Sequence, residues 1–227
     1  MADSLFQYDF ETGNLTGFPT ATPPVPGWST IFGSVSNTTS SSYLGDNGMQ
    51  LILGGHSPGY VEDDSPNNEA SYNARFYMNP AGVTMDPSDT LDLFDGCNDG
   101  LCNTNVFTAQ LQENTPGAYN IRAGLEDNNG VLTYTSWYPL SVSSSLPIVP
   151  DQNWNAVELD YRVGTSGSLA LYINGALQQT LGNVDNGTLT ISSLRLGAQN
   201  LVYSNSGTLY FDNFESRRFS YIGTLFP

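Results

Sequence analysis

The sequence predicts an all-β sandwich or barrel, because roughly a dozen short segments alternate apolar and polar residues between turn residues. No segment of about ten residues has the apolar spacing of a helix. The clearest alternation is Val157–Val163, where Glu158, Asp160 and Arg162 share the face opposite the apolar residues. The chain has 227 residues, a length at which β-sandwiches commonly form one domain. We therefore expect one domain over residues 1–227.

The predicted strands are separated by turn residues such as Asn-Gly, Gly-Gly and Asn-Pro. They are Met49–Leu53, Ala74–Met78, Thr90–Phe94, Val106–Gln112, Tyr119–Leu125, Val131–Tyr138, Ala156–Val163, Ser168–Ile173, Leu177–Leu181, Leu189–Leu196 and Thr208–Phe214. Asn79-Pro80 is expected to end the second of them. Two segments lack the pattern: Pro19–Gly27, with four prolines, and the acidic Gly59–Ala70, which we expect to be a long exposed loop.

The charge balance excludes several classes of partner. Asp and Glu number 22 against six basic residues, all of them Arg, so the formal net charge is −16. Nucleic acids and anionic membrane surfaces bind clustered cations, so neither is an expected partner. Direct membrane insertion is not expected either, because no apolar run approaches the roughly 20 residues of a spanning helix. The aromatic content of 12% separates the chain from disordered acidic sequences.

The two cysteines, Cys97 and Cys102, lie in a loop-like segment rich in Asp, Asn and Gly. They are too few for a zinc site, and His56, the only histidine, is distant in sequence. A redox pair is the alternative, but thioredoxin-like pairs have a shorter spacing. We favour a disulfide, which implies an oxidising compartment. We thus expect an extracellular or cell-surface protein, although Met1-Ala2-Asp3 does not begin a secretory signal.

Several segments resemble one known superfamily. They are Trp154–Leu159, Ser168–Gly175 with its Asn-Gly turn, Leu194–Gly197 and Tyr210–Phe214, with Tyr8–Gly17 similar to the first strand of secreted bacterial sandwiches. Together they resemble the concanavalin A-like lectin/glucanase superfamily, in its laminin-G-like branch of bacterial secreted or surface proteins. The resemblance implies an antiparallel jelly-roll β-sandwich. It does not imply one activity, because this fold hosts lectins, adhesins, hydrolases and lyases.

The resemblance also implies a calcium ion that ties the first strand to the last. The implied ligands are Glu11, the carbonyl of Gly13 and Asp212, joined by a carbonyl of the loop at Asp46. Carboxylates and loop carbonyls are the hard oxygen ligands that Ca²⁺ prefers. The alternative is that the two carboxylates are solvated or paired with arginines near the C-terminus.

A second acidic series suggests another calcium loop, although it lacks the spacing and terminal Glu of an EF-hand. Its members are Asp86, Asp89, Asp92, Asp95 and Asp99. We favour an ordered surface loop without metal.

Catalysis is the next alternative. Glucanases of this fold carry a Glu-x-Asp strand followed by a second Glu, and Glu158-Leu159-Asp160 matches only the first half, since Arg162 and Val163 follow. No catalytic residue is therefore assigned, and a non-enzyme is favoured. A lyase assembled from Arg122, Gln110, Gln112 and a Tyr is a further alternative, opposed by the negative charge of the chain.

Aromatic rings stack on sugars, and amides and carboxylates bind their hydroxyls. One of the adjacent Trp137 and Tyr138 must face outward if their segment is extended. The predicted ligand-binding surface consists of Gln110, Gln112, Arg122, Trp137, Glu158 and Asp160. We predict a calcium-stabilised, non-catalytic module that binds a glycan or cell-surface polysaccharide, in company with other domains of a larger surface protein. The alternatives are a polysaccharide hydrolase or lyase, or a structural subunit of a surface assembly.

Overall fold

The computed structural model describes residues 2–17, 27–141 and 153–225. These residues form two antiparallel sheets of eight strands each, which pack face to face. A single 3₁₀ turn, Thr39–Ser41, is the helical element of the described residues, and none of their helices is long and apolar enough to cross a membrane. The predicted antiparallel jelly-roll β-sandwich is confirmed.

The first sheet is built around the longest strands of the chain. Its order is β14 (Ala176–Val184), β13 (Gly167–Ile173), β12 (Asn155–Arg162), β6 (Ser71–Thr84), β16 (Ser206–Arg217), β4 (Gly48–Gly54) and β3 (Val35–Thr38). The remaining strand, β1 (Ser4–Tyr8), pairs with the C-terminal half of β16.

The second sheet carries the candidate site described below. Its order is β10 (Leu132–Tyr134), β9 (Ala118–Glu126), β8 (Asn105–Thr115), β7 (Leu91–Cys97), β15 (Ser193–Gln199), β5 (Gly59–Asp63) and β2 (Thr30–Phe32). The short β11 (Tyr138–Pro139) pairs with β9.

Alternation along the strands places one side of each sheet in a shared aromatic core. Phe76 of the first sheet contacts Phe94 of the second, with ring centroids 5.4 Å apart, and also packs against Phe211 of its own sheet. All three are fully buried. Since side chains alternate across a strand, the neighbours of these residues project from the outer face of each sheet.

The expectation of a long exposed loop over Gly59–Ala70 is wrong for residues 59–63, whereas residues 64–70 lie outside the strands and are mostly exposed. Gly59–Asp63 is a strand between β15 and β2, and Val61 is fully buried in the core. The acidic Glu62 of this strand pairs with Arg195 on the neighbouring strand. The sequence of this segment resembles a solvated loop, but an arginine distant in sequence allows its acidic residue to lie in a strand.

Other strand boundaries also differ from the prediction. β6 continues through Asn79-Pro80, because a register shift in its pairing with β16 accommodates the proline. Val131–Tyr138 divides into β10 and β11, and the strand expected from Leu189 begins only at Ser193. β2 and β3 were not predicted. Most of the proline-rich segment, residues 19–26, lies outside the described residues.

Cys97 and Cys102 are bonded to each other, with their Cα atoms 4.9 Å apart. The predicted disulfide is therefore present. The disulfide closes a short loop. Asp99 in this loop accepts hydrogen bonds from the backbone N–H groups of Leu101, Asn103 and Thr104.

Candidate functional site

The outer face of the second sheet carries a continuous row of polar and aromatic side chains, which we call the polar face. Its members are Tyr60, Glu62, Asp92, Asp95, Thr108, Gln110, Arg122, Tyr134, Arg195 and Gln199. Most follow from strand alternation, as with Arg195 between the core residues Leu194 and Leu196. The row crosses the sheet from β10 to β5.

Arg122 forms the centre of an aromatic cluster at one end of the polar face. Its guanidinium carbon lies 3.9 Å from the ring centroid of Tyr134 and 4.4 Å from that of Trp137. Its Nε and Nη2 donate to Oε1 of Gln110 at 2.9 and 2.7 Å. Gly124 makes room for this stack, since a Cβ there would lie 2.6 Å from Cε1 of Tyr134.

Arg122 differs from the other arginines in its partners. All six arginines of the chain belong to the part that the structure describes, and five form ion pairs with carboxylates. The pairs are Arg75–Glu215, Arg162–Asp160, Arg195–Glu62, Arg217–Glu215 and Arg218–Glu69. Arg122 instead donates hydrogen bonds to a neutral amide and makes cation–π contacts with two aromatic rings. In a chain of net charge −16, Arg122 is thus the arginine held outside an ion pair, although the charge of Asp92 acts on it and opposes the lowering of its pKa by burial.

Two buried carboxylates lie at the centre of the polar face. Asp92 accepts from Nε2 of Gln110 at 2.7 Å and from Nδ2 of Asn200, and Asp95 accepts from Nε2 of Gln199 at 2.6 Å. Burial raises the pKa of Asp95 to about 7, and the charge of Asp92 adds to this effect. Burial also raises the pKa of Asp92. A register shift between Asp92 and Phe94 lets both carboxylates face outward.

The acidic series predicted as a surface loop is therefore divided. Asp92 and Asp95 belong to β7 and orient the amides of Gln110 and Gln199, whereas Asp99 caps the disulfide loop. Asp86 lies in the turn before β7, where its carbonyl accepts from the N–H of Asp89.

The structure brings together only part of the predicted ligand-binding surface. Gln110, Gln112, Arg122 and Trp137 belong to the second sheet or contact it, with Gln112 paired opposite Asn120. One of the adjacent Trp137 and Tyr138 was expected to face outward. Trp137 contacts Arg122 on the outer face, whereas Tyr138 packs against the core.

Glu158 and Asp160 lie on the outer face of the first sheet, so the six predicted residues do not form one surface. Glu158 accepts from the N–H groups of Ile222 and Gly223 at 2.7 and 2.9 Å, beneath the C-terminal segment. Asp160 pairs with Arg162 at 2.7 Å. Strand alternation indicates which residues share a face of a strand, but it does not indicate the sheet to which that strand belongs.

His56 lies in an exposed turn, where Nδ1 is 3.0 Å from the carbonyl oxygen of Leu201 and the ring contacts Tyr203.

Three of the four predicted calcium ligands, Glu11, Asp46 and Asp212, meet at the loop of residues 43–47. Glu11 accepts from the N–H groups of Asp46 and Asn47 at 2.8 and 3.0 Å. Asp212 is fully buried and accepts from the N–H of Tyr43 at 2.7 Å. Burial raises the pKa of Asp212 to about 7, and the charge of Glu11 contributes.

At this loop both carboxylates accept hydrogen bonds from backbone N–H groups, Glu11 from residues 46 and 47 and Asp212 from residues 43, 44 and 213. The arginines near the C-terminus are paired elsewhere, Arg217 with Glu215 and Arg218 with Glu69, so no arginine neutralises Glu11 or Asp212 within the described residues. No group of three acidic, His or Cys side chains converges to hold a metal in the described ranges. A calcium ion there would therefore depend on these two carboxylates together with backbone carbonyls, such as that of Gly13.

Sequence inspection missed several members of the polar face. Tyr60 and Glu62 lie in the segment predicted to be a loop, and Arg195 lies in the predicted strand Leu189–Leu196, where no binding role was assigned to it. The available signal was local: in Leu91-Asp92-Leu93 and Leu194-Arg195-Leu196 a charged residue separates two core leucines. Such a pattern indicates an outward charge on a buried strand.

No protein-family model matches the sequence, and no curated protein matches it. Solved structures do match the fold. An endo-β-1,4-glucuronan lyase from the fungus Trichoderma reesei is similar with a TM-score of 0.63 at 12% identity, over 95% of this chain and 96% of that chain. The similarity extends over nearly the full length of both chains.

Receptor-binding domains of botulinum neurotoxins are similar over a smaller share of their length. The serotype D binding domain has a TM-score of 0.55 at 15% identity, over 83% of this chain and 42% of that chain. The serotype D ligand-binding domain in complex with N-acetylneuraminic acid has a TM-score of 0.53 at 14% identity, with the same coverage. At such identities the likeness shows the fold alone, an all-β sandwich.

Proposed function

We propose that this protein binds a glycan on the polar face without catalysing a reaction. The observation that carries the proposal is Arg122, the arginine without a carboxylate partner, stacked between Tyr134 and Trp137. Aromatic rings pack against the apolar faces of sugars, and fixed amides and guanidinium groups bind sugar hydroxyls. Gln110, held between Asp92 and Arg122, supplies such an amide.

The neighbouring structures support the same chemistry. One is named as a glucuronan lyase and another was solved with N-acetylneuraminic acid, so related sandwiches act on or bind carbohydrates. We further propose membership of the concanavalin A-like superfamily, a calcium ion at Glu11 and Asp212, and an extracellular or surface location alongside other domains. The disulfide between Cys97 and Cys102 supports the location, because such bonds persist in oxidising compartments.

A glycan array with purified protein, followed by titration of the best ligand, tests this function. Trp137→Ala should weaken binding about tenfold, because the variant removes a stacking surface and loosens Arg122. Arg162→Gln, on the opposite outer face, is the matched control and should leave affinity unchanged. Equal affinity of wild type and Trp137→Ala for every bound glycan would place the binding site elsewhere.

A second candidate is β-elimination on a uronate polymer, favoured by the contact of Arg122 with both Tyr134 and Gln110. The guanidinium would neutralise the uronate carboxylate. The Tyr134 phenolate would take the C5 proton, a C4–C5 double bond would form as the C4–O bond breaks, and the phenol would protonate the leaving oxygen. Burial raises the pKa of Tyr134, which disfavours the phenolate. We therefore place this activity second.

Incubation with β-1,4-glucuronan distinguishes the two functions, because elimination creates an unsaturated uronate that absorbs in the ultraviolet. The binding function predicts no absorbance change and no new reducing ends from neutral β-glucans. An absorbance increase that disappears in Tyr134→Phe would establish the lyase instead.

A further inference from the structure

The polar face has a second stack of aromatic and cationic groups, at the edge opposite Arg122. The ring of Phe32 in β2 stacks on Tyr60 in β5, with centroids 5.3 Å apart and planes 18° apart. The guanidinium of Arg195 lies 4.4 Å from the Tyr60 centroid. We call these three residues the Phe32 stack. Phe32 is 48% exposed, so the stack is accessible from solvent.

The Phe32 stack is held in place by two further elements. Nε of Arg195 donates to Glu62 at 2.6 Å, and Nη2 donates to the carbonyl of Leu101 at 2.8 Å. Leu101 belongs to the loop closed by the disulfide between Cys97 and Cys102. The disulfide loop therefore supports this end of the polar face, and its exposed Leu101 side chain lies at the rim.

The two stacks are far enough apart to contact different units of one chain. Tyr134 lies in β10 and Tyr60 in β5, and β9, β8, β7 and β15 lie between them. At about 4.8 Å per strand, the five steps span about 24 Å. Between them lie the amides of Gln110 and Gln199, each oriented by a buried carboxylate, and both residues are 9% exposed.

We propose that the Phe32 stack is a second sugar-binding subsite, and that the ligand is a linear polysaccharide lying across the strands of the second sheet. Its sugar rings would stack at both ends, and its hydroxyls would bind the amides between them. A single terminal sugar would reach only one stack. This inference rests on the proposed glycan-binding function and adds the polymeric nature of the ligand.

Two oligosaccharide series test the inference: β-1,4-glucan and β-1,4-glucuronan, each as a disaccharide and as an octasaccharide. Calorimetric titration should show that the wild type binds the octasaccharide of at least one series more tightly than its disaccharide. Phe32→Ala should weaken octasaccharide binding about tenfold and leave disaccharide binding unchanged. Ile52→Ala, which removes a side chain of similar exposure (56%) from the first sheet, is the control.

Different results identify which proposal fails. If Trp137→Ala weakens binding but Phe32→Ala does not, or if both chain lengths bind equally, the site is local and the second subsite is wrong. If Phe32→Ala changes the oligomeric state by light scattering and leaves affinity intact, the stack contacts protein. If the wild type binds no member of either series or of a glycan array, the glycan-binding function itself fails. Circular dichroism of Phe32→Ala confirms that the variant is folded.

Discussion

Asp95 shows how a single buried residue couples the polar face to pH. Burial raises its pKa to about 7, with a contribution from Asp92. An unfolded Asp titrates near 4, so the folded state holds this proton more tightly. The stability contribution is therefore fully present below about pH 4 and is lost as the pH rises through about 7.

We predict that Asp95→Asn gains stability over the wild type at high pH, by a few kcal/mol at about pH 8 and by much less at about pH 4. Urea unfolding at both pH values measures the difference. Asp86→Asn, which alters an exposed carboxylate, is the control. A stability difference that is the same at both pH values would show that the protonation of Asp95 does not contribute.

Gly124 is a second residue with a defined role. Its lack of a side chain admits the Tyr134 ring, because a Cβ would lie 2.6 Å from that ring. Gly124→Ala should displace Tyr134 from Arg122 and weaken glycan binding about tenfold or less. The exposed Gly182, which has nothing within 4 Å of its Cβ position, provides the control Gly182→Ala. Unchanged affinity in Gly124→Ala would show that the Tyr134 contact does not position Arg122.

The strands that the sequence predicts are those in which apolar and polar residues alternate locally. β12 was predicted from Val157–Val163, because its core residues alternate with polar ones along one strand. β5 was not, because Glu62 and Asp63 resemble a solvated loop until Arg195 pairs with Glu62 across the sheet. The site shows the same limit of local patterns. Alternation predicts that Arg122 and Glu158 face outward, but only the pairing of distant strands shows that they belong to different sheets.

The disulfide loop between β7 and β8 carries the next prediction. Closing so short a loop is worth about 2 kcal/mol of unfolding free energy. The double variant Cys97→Ser and Cys102→Ser should lose about this much by urea unfolding. If the further inference holds, it should also weaken octasaccharide binding, because Leu101 supports Arg195. Two free thiols in the unreduced wild type, by thiol titration, would contradict the bond.

For the whole molecule, the dominant feature is a net charge of −16 carried on a sandwich whose first and last strands are paired. Such a charge destabilises the compact state by self-repulsion. Glu11 and Asp212 bring two of these charges to one loop, and burial raises the pKa of Asp212. A divalent cation at this loop would offset the repulsion and connect both ends of the chain.

We therefore predict that calcium stabilises the folded protein through Glu11 and Asp212. A hundredfold excess over the dissociation constant adds about 2.7 kcal/mol, so chelation should lower the melting temperature by about 5–10 °C. Asp212→Asn should abolish this response, whatever its effect on stability without calcium. Asp46→Ala should retain it, because Asp46 would contribute only its backbone carbonyl. Melting curves unaffected by chelator, together with no metal in elemental analysis, would mean that the backbone N–H groups of residues 43–47 and of Asn213 are sufficient partners for these carboxylates.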